Sequence, residues 1–246
     1  MSEFADKTAL VTGAGSGIGE ATARALHRAG ARVFGGVHTL EQAQRLQREL
    51  PGIVAAPCDV RDPAAVERMV AQAVAAFGRL ELCVNCVGIT GPAPTPIADY
   101  DPAVWAEVIA TDLTGMFHCL KYQVPALAAA GTGAIVNMSS ANGVVGIPGM
   151  AAYTAAKHGV VGLTRSAALE LANTGIRVNA LAPGYVATPK VLAAGEDALT
   201  LFRQSHPMGR LAEPEEVAEF ILFLLSPRSA FATGGVYALD GGYTAQ

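Results

Sequence analysis

A chain of 246 residues, 51% hydrophobic and 15% charged, can bury a sizeable core and lies far from disordered compositions. Its formal net charge of −4 and pI near 5.7, with Lys and Arg scattered along the chain, exclude a basic face for nucleic acid. No stretch approaches the ~20 apolar residues of a membrane span, and the charged N-terminus lacks a signal peptide's apolar segment, so a cytoplasmic protein is expected.

In chain order, Thr8–Thr12 is a short apolar run that ends in glycines, and residues 18–29 follow with helical spacing of Ile18, Ala21, Ala25 and Leu26. A strand over 31–37, a helix over 40–50, a strand over 53–57, a helix over 63–77 and a strand over 80–85 continue the alternation. One long helix over 102–129 precedes a strand over 134–138, and a second over 151–173 precedes a strand over 176–181. Residues 188–208 are less regular and read as a mobile lid, before a helix over 214–225 and a last strand over 235–239. Repeated β-α units predict a parallel sheet covered on both faces. With no Pro- or Ser-rich linker and no internal repeat, residues 1–246 read as one doubly wound α/β domain.

Thr12-Gly13-Ala14-Gly15-Ser16-Gly17-Ile18-Gly19 joins the first strand to the first helix, where backbone N–H groups and the helix dipole can hold a pyrophosphate. The strict G-x-G-x-x-G spacing is not met, since Ile18 or Glu20 falls at the sixth position, and Glu20 stands where a Walker loop needs Lys. A purely structural turn remains the alternative, although the extra glycines permit close backbone approach.

Tyr153 and Lys157, four residues apart, share one helix face, with Ser140 upstream. A free phenol has a pKa of about 10. An ammonium within ~4–6 Å lowers such a value by about 1–3 units, into range for general acid/base work. Cys83-Val-Asn-Cys86 has a metal-like spacing but lies in an apolar run without a second Cys or His pair. It reads as a buried strand end, with a metal or redox site the alternative, and all four cysteines as reduced thiols. His118, His158 and His206 lack ligand-spaced partners and read as structural or exposed, and Trp105 as packed.

Taken together, the glycine loop, Ser140, Tyr153 and Lys157 resemble the short-chain dehydrogenase/reductase family over nearly the whole chain. Asn85-Cys86-Val87-Gly88 is similar to that family's Asn-Asn-Ala-Gly segment at two of four positions, Asn85 and Gly88. The resemblance implies a single-domain Rossmann-type doubly wound parallel sheet with helices on both faces. It further implies a cofactor set of Gly13, Ser16, Gly17, Ile18 and Gly19 in the loop, Asp59 and Val60 at the adenine, and Asn85 and Gly88. Pro183, Gly184, Val186 and Thr188 line the nicotinamide pocket in this scheme, and Asp240-Gly241-Gly242 matches the usual C-terminal turn. Tyr153 would exchange a proton with the substrate oxygen, Lys157 would lower its pKa and hold the nicotinamide ribose, and Ser140 would hydrogen-bond the carbonyl or alcohol. Ser139 falls one residue from the family spacing and reads as structural.

One departure concerns catalysis. Asp112 in Asp112-Leu113-Thr114-Gly115 stands where the family usually has Asn. A carboxylate lacks the amide's donors and adds a negative charge near Lys157, so an active enzyme with an altered pH profile is expected. Cofactor choice leans to NADP(H) over NAD(H). Val37 ends the second strand where an NAD enzyme carries an acidic residue, and His38 and Thr39 could meet a 2′-phosphate, although Ser16 is not the basic residue NADP enzymes often have.

The expected reaction is the interconversion of a secondary alcohol and a ketone by hydride transfer. A non-catalytic nucleotide-binding regulator on the same fold is the alternative. Residues 90–97, 141–150 and 185–206 are candidate walls for a fairly apolar or neutral small molecule. The family's usual homotetramer or homodimer, built through the two long helices, is expected as well.

Overall fold

The computed structural model describes residues 3–246. Its strands are β1 (Thr8–Thr12), β2 (Arg32–Val37), β3 (Val54–Pro57), β4 (Leu82–Asn85), β5 (Gly133–Met138), β6 (Ile176–Pro183) and β7 (Val236–Leu239). All pair in parallel in the order β3-β2-β1-β4-β5-β6-β7. Each crossover is helical: α1 (Gly17–Arg28), α2 (Leu40–Glu49) and α3 (Pro63–Phe77) serve the first half. In the second half α4 (Pro102–Ile109), α5 (Gly115–Ala130), α6 (Ala151–Leu171), α7 (Pro189–Leu192), α8 (Glu196–Gln204) and α9 (Pro214–Leu225) follow. This is the doubly wound sheet that the β-α rhythm predicts.

Alternation along the strands builds two cores. In β1, Ala9 and Val11 pack with Leu26 of α1, Leu46 of α2 and Ile221 of α9, while Leu10 faces the other way toward Met69 of α3 and Leu120 of α5. β2 divides in the same manner, Val33 to the first core and Phe34 to the second. Every residue of β1, β4 and β5 is buried, as a sheet sandwiched between helices requires. Each fully buried Leu, Ile or Phe contributes about 1.5–3 kcal/mol relative to exposure.

Helix ends follow local chemistry. Asp62 accepts from the Ala64 N–H ahead of Pro63 in α3, and Gly78 closes that helix at φ 83°. Thr39 and Gln42 form a reciprocal capping box on α2.

Three expectations need correction. The run over 102–129 is not one regular α-helix: a π-helical turn, Ala110–Thr114, joins α4 to α5 with helical backbone on both sides. Residues 188–208 are not irregular but carry α7 and α8. Trp105 is not packed away, since 41% of it is exposed on α4.

The chain order reverses direction between β1 and β4, whose ends Thr12 and Asn85 are in register. Loops leaving the two strands diverge there and open a crevice at their carboxyl ends, the place where open α/β sheets bind ligands.

Candidate active site

A cavity of about 580 Å³ occupies that crevice. Its first wall is the glycine loop. Gly13 has φ +73° and lies so close to the segment after β4 that a β-carbon would sit 3.2 Å from the Cys86 carbonyl carbon. At Gly19 a β-carbon would overlap the Gly13 carbonyl oxygen, so only glycine lets α1 start against the turn. Ser16 precedes α1 without a side-chain hydrogen bond to it. Backbone donors at the helix start are therefore left for a ligand, which is what a diphosphate needs.

The far end of the crevice belongs to β5 and α6. Ser140 follows β5 and lines the cavity; its Oγ accepts from the Asn142 N–H at 3.2 Å. Tyr153 and Lys157 from α6 line it too, with the Lys157 ammonium 5.4 Å from the Tyr153 ring centroid. Ser139 does not point into this group: its hydroxyl donates to the Lys157 carbonyl at 3.1 Å and ties β5 to α6.

Behind the cavity wall lies Asp112, in the π-helical turn. Its Oδ1 accepts from the Ile89 N–H at 2.7 Å, and its Oδ2 stands 3.1 Å from Lys157 Nζ, holding the ammonium by charge without a well-aligned hydrogen bond. Lys157 also donates to the Met138 carbonyl at 3.2 Å. Burial on its own would depress the Lys157 pKa, but the Asp112 carboxylate overrides it and raises the value above the usual lysine range. Gly88 makes room for the pair, because a β-carbon there would lie 2.8 Å from Asp112 Oδ2 and 3.1 Å from Lys157 Nζ.

At the other end, Val37, His38, Asp59, Val60 and Arg61 line the cavity. Asp59 and Arg61 form an ion pair at 2.7 Å that holds the carboxyl below its usual range. Pro183, Gly184, Val186 and Thr188 line the wall made by β6 and the start of α7, while Gly17 packs against the Thr188 methyl.

Asn85 is placed elsewhere. It is buried beneath the cavity, its amide bonded to Gln123 at 3.0 and 2.8 Å and to Asn137 at 3.0 Å, a cross-tie between β4, β5 and α5. Thr39 caps α2 and does not line the cavity. Cys83 is buried, and burial pushes the Cys86 thiol up to about 12, so neither behaves as a reactive thiolate. Among the described residues no group of His, Cys, Asp and Glu could hold a metal ion.

Asn142 and, beyond it, Tyr185 and Lys190 line the cavity within the expected wall segments 141–150 and 185–206, and Tyr243 lines it from outside them. Tyr185 stacks on Phe202 of α8 at 4.1 Å, and its N–H donates to Nε2 of the buried His206 at 3.1 Å. His206 therefore ties the 188–208 segment to the wall. The C-terminal turn brings Tyr243 to the cavity from far along the chain, so no local spacing announces it.

A family model described as enoyl-(acyl carrier protein) reductase matches residues 13–244. The chain is 42% identical to cyclohexanol dehydrogenase of Acinetobacter sp. (strain SE19), over 99% of this chain and 97% of that protein. It is 46% identical to cis-4-hydroxycyclohexanecarboxylate dehydrogenase of Sinomonas cyclohexanicum, over 98% of each. The crystal structure of levodione reductase superposes with a TM-score of 0.95 at 34% identity, covering 98% of this chain and 99% of that one.

Proposed function

The chain belongs to the short-chain dehydrogenase/reductase family, and from that premise we propose that Tyr153 is the general acid/base of its reaction, with Lys157 and Ser140 beside it. The protein is an oxidoreductase acting on CH–OH groups, interconverting a secondary alcohol and a ketone. One observation carries the assignment of roles: Tyr153, Lys157 and Ser140 converge on one cavity, with the ammonium 5.4 Å from the phenol ring.

The glycine cradle fits a nicotinamide dinucleotide, with Gly13, Ser16, Gly17, Ile18 and Gly19 at the diphosphate and Gly88, Pro183, Gly184, Val186 and Thr188 toward the nicotinamide. When bound, the nicotinamide supplies the acceptor or donor of the hydride. Ser140 orients the substrate oxygen by a hydrogen bond. Tyr153 takes the alcohol proton as the carbon–hydrogen bond breaks, leaving a ketone, and returns it in the reverse direction. Lys157 stabilises the charge that appears on the tyrosine oxygen, and Asp112 keeps that ammonium charged and in place.

NADP(H) is the favoured cofactor, with NAD(H) the alternative. Val37 offers no carboxylate at the end of β2 to repel a 2′-phosphate, and His38 and Arg61 stand nearby on the cavity wall. Cyclic secondary alcohols are the favoured substrates, a reading supported by relatives named for cyclohexanol and hydroxycyclohexanecarboxylate and by the apolar Ile89, Ile147, Met150 and Val191 in the wall. A homotetramer or homodimer in the cytoplasm completes the proposal. No helix among the described residues is long and apolar enough to cross a membrane.

The test is reduced-cofactor absorbance with cyclohexanol and NADP⁺ or NAD⁺, and with cyclohexanone in the reverse direction. Turnover that is lost in Tyr153→Phe supports the proposal. An undiminished rate in that variant removes Tyr153 from the role.

A further inference from the structure

Cations on the cavity wall are mostly committed. Lys157 faces Asp112 at 3.1 Å, and Arg61 faces Asp59 at 2.7 Å and Glu107 at 3.7 Å. Lys190 differs: among the described residues it forms no ion pair, and its ammonium donates to a neutral hydroxyl, Thr90 Oγ1, at 3.2 Å. That bond crosses from α7 to the segment after β4, and both residues line the cavity.

The location decides which anion it would meet. Thr90 follows Ile89, whose N–H donates to Asp112 at 2.7 Å, so the ammonium is moored beside the segment that supports Lys157. The diphosphate has its own donors at the start of α1, where Ser16 leaves the backbone uncapped. The Thr90 bond gives the ammonium no counter-charge, whereas a carboxylate adds a Coulomb attraction to the hydrogen bond it accepts. The Thr90 hydroxyl accepts from Lys190 and gives its own proton to the Gly91 carbonyl at 3.1 Å, so Thr90 moors the ammonium and Lys190 is the donor to the carboxylate.

We propose that Lys190, moored by Thr90, forms an anion subsite that selects alcohol or ketone substrates carrying a carboxylate. The inference rests on the oxidoreductase reading above and names the substrate class for that same cavity. The flexible lysine stem lets the ammonium follow substrates of different length.

Two measurements on the full chain test it. In the first, calorimetry with cyclohexanecarboxylate, which has no hydroxyl to oxidise, is compared with cyclohexanemethanol for wild type and Lys190→Gln, each with NADP⁺ present. The expected result is tighter binding of the carboxylate by wild type, with its Kd rising at least tenfold in Lys190→Gln and recovering in Lys190→Arg. In the second, the ratio of kcat/KM for 4-hydroxycyclohexanecarboxylate to that for cyclohexanol falls at least tenfold in Lys190→Gln. No preference for the carboxylate in wild type, or an unmoved Kd and ratio, overturns the proposal. A variant in which NADP⁺ affinity falls tenfold while the substrate ratio holds overturns it too, and makes Lys190 a cofactor-phosphate ligand. If no alcohol is oxidised at all, the oxidoreductase reading fails on its own, and calorimetry still decides the anion subsite.

Discussion

Lys157 Nζ and Asp112 Oδ2 lie 3.1 Å apart with side chains only 3% and 0% exposed, so the proposed proton-transfer site rests on a buried ion pair. With Asn at 112 the ammonium would keep its place but lose its counter-charge. The carboxylate both partly cancels the ammonium's field on the phenol and keeps Lys157 protonated. Asp112→Asn is therefore expected to move the whole pH profile of alcohol oxidation to lower pH, on the acidic and the alkaline limb alike. The check is kcat/KM from pH 6 to pH 11, and coincident profiles for the two proteins would refute the idea.

The same pair sets a stability window. Lys157 titrates above its ordinary value of 10.5 in the folded chain, because Asp112 outweighs burial. Its contribution is therefore complete below about 10.5 and is lost as the pH rises through the higher folded value. Urea midpoints of wild type should fall above that pH, and those of Lys157→Met should lack this step.

Removing one partner separates stability from chemistry. Lys157→Met leaves the Asp112 carboxylate buried without its cation, which is expected to cost about 3–5 kcal/mol as well as activity. Tyr153→Phe removes only a hydroxyl at the cavity wall; it is expected to lower kcat by about 10²–10⁴ while the urea midpoint stays near wild type. Equal destabilisation of the two variants would argue against an ion pair that supports the site.

Gly88 is required by contact rather than by backbone angle. In Gly88→Ala the methyl would sit 2.8 Å from Asp112 Oδ2 and 3.1 Å from Lys157 Nζ, which are held by the Ile89 N–H and the Met138 carbonyl. Neither can give way freely. The expectation is at least a tenfold loss of kcat with a folded circular-dichroism spectrum, and wild-type turnover would show that the pair can shift.

Cofactor preference is open to one substitution. Val37→Asp places a carboxylate at the end of β2, where it would accept from a ribose 2′-OH and repel a 2′-phosphate. The ratio of kcat/KM for NADP(H) to that for NAD(H) should drop at least tenfold. A ratio that does not change would locate the 2′-position away from Val37.

Elements whose cause is local were legible in the sequence. Pro63 to Phe77 and Pro214 to Leu225 have the predicted bounds because a proline opens each helix and apolar spacing carries it. The π-helical turn at Ala110–Thr114 was not legible, since its apolar spacing continues that of an ordinary helix and only the hydrogen-bond register changes. Trp105 failed for a related reason: helical spacing puts a residue on a face without saying what covers that face.

By itself the sequence determined the β-α order, the glycine turn and the pairing of Tyr153 with Lys157 on one helix, all consequences of spacing within a single element or between neighbours. Only the tertiary structure decided that Asp112 lies against Lys157, that Asn85 turns into the core toward Gln123, and that Lys190 reaches Thr90. Those contacts join residues far apart in the chain. They depend on which loops the parallel sheet brings together at the reversal between β1 and β4, and no local periodicity encodes that closure.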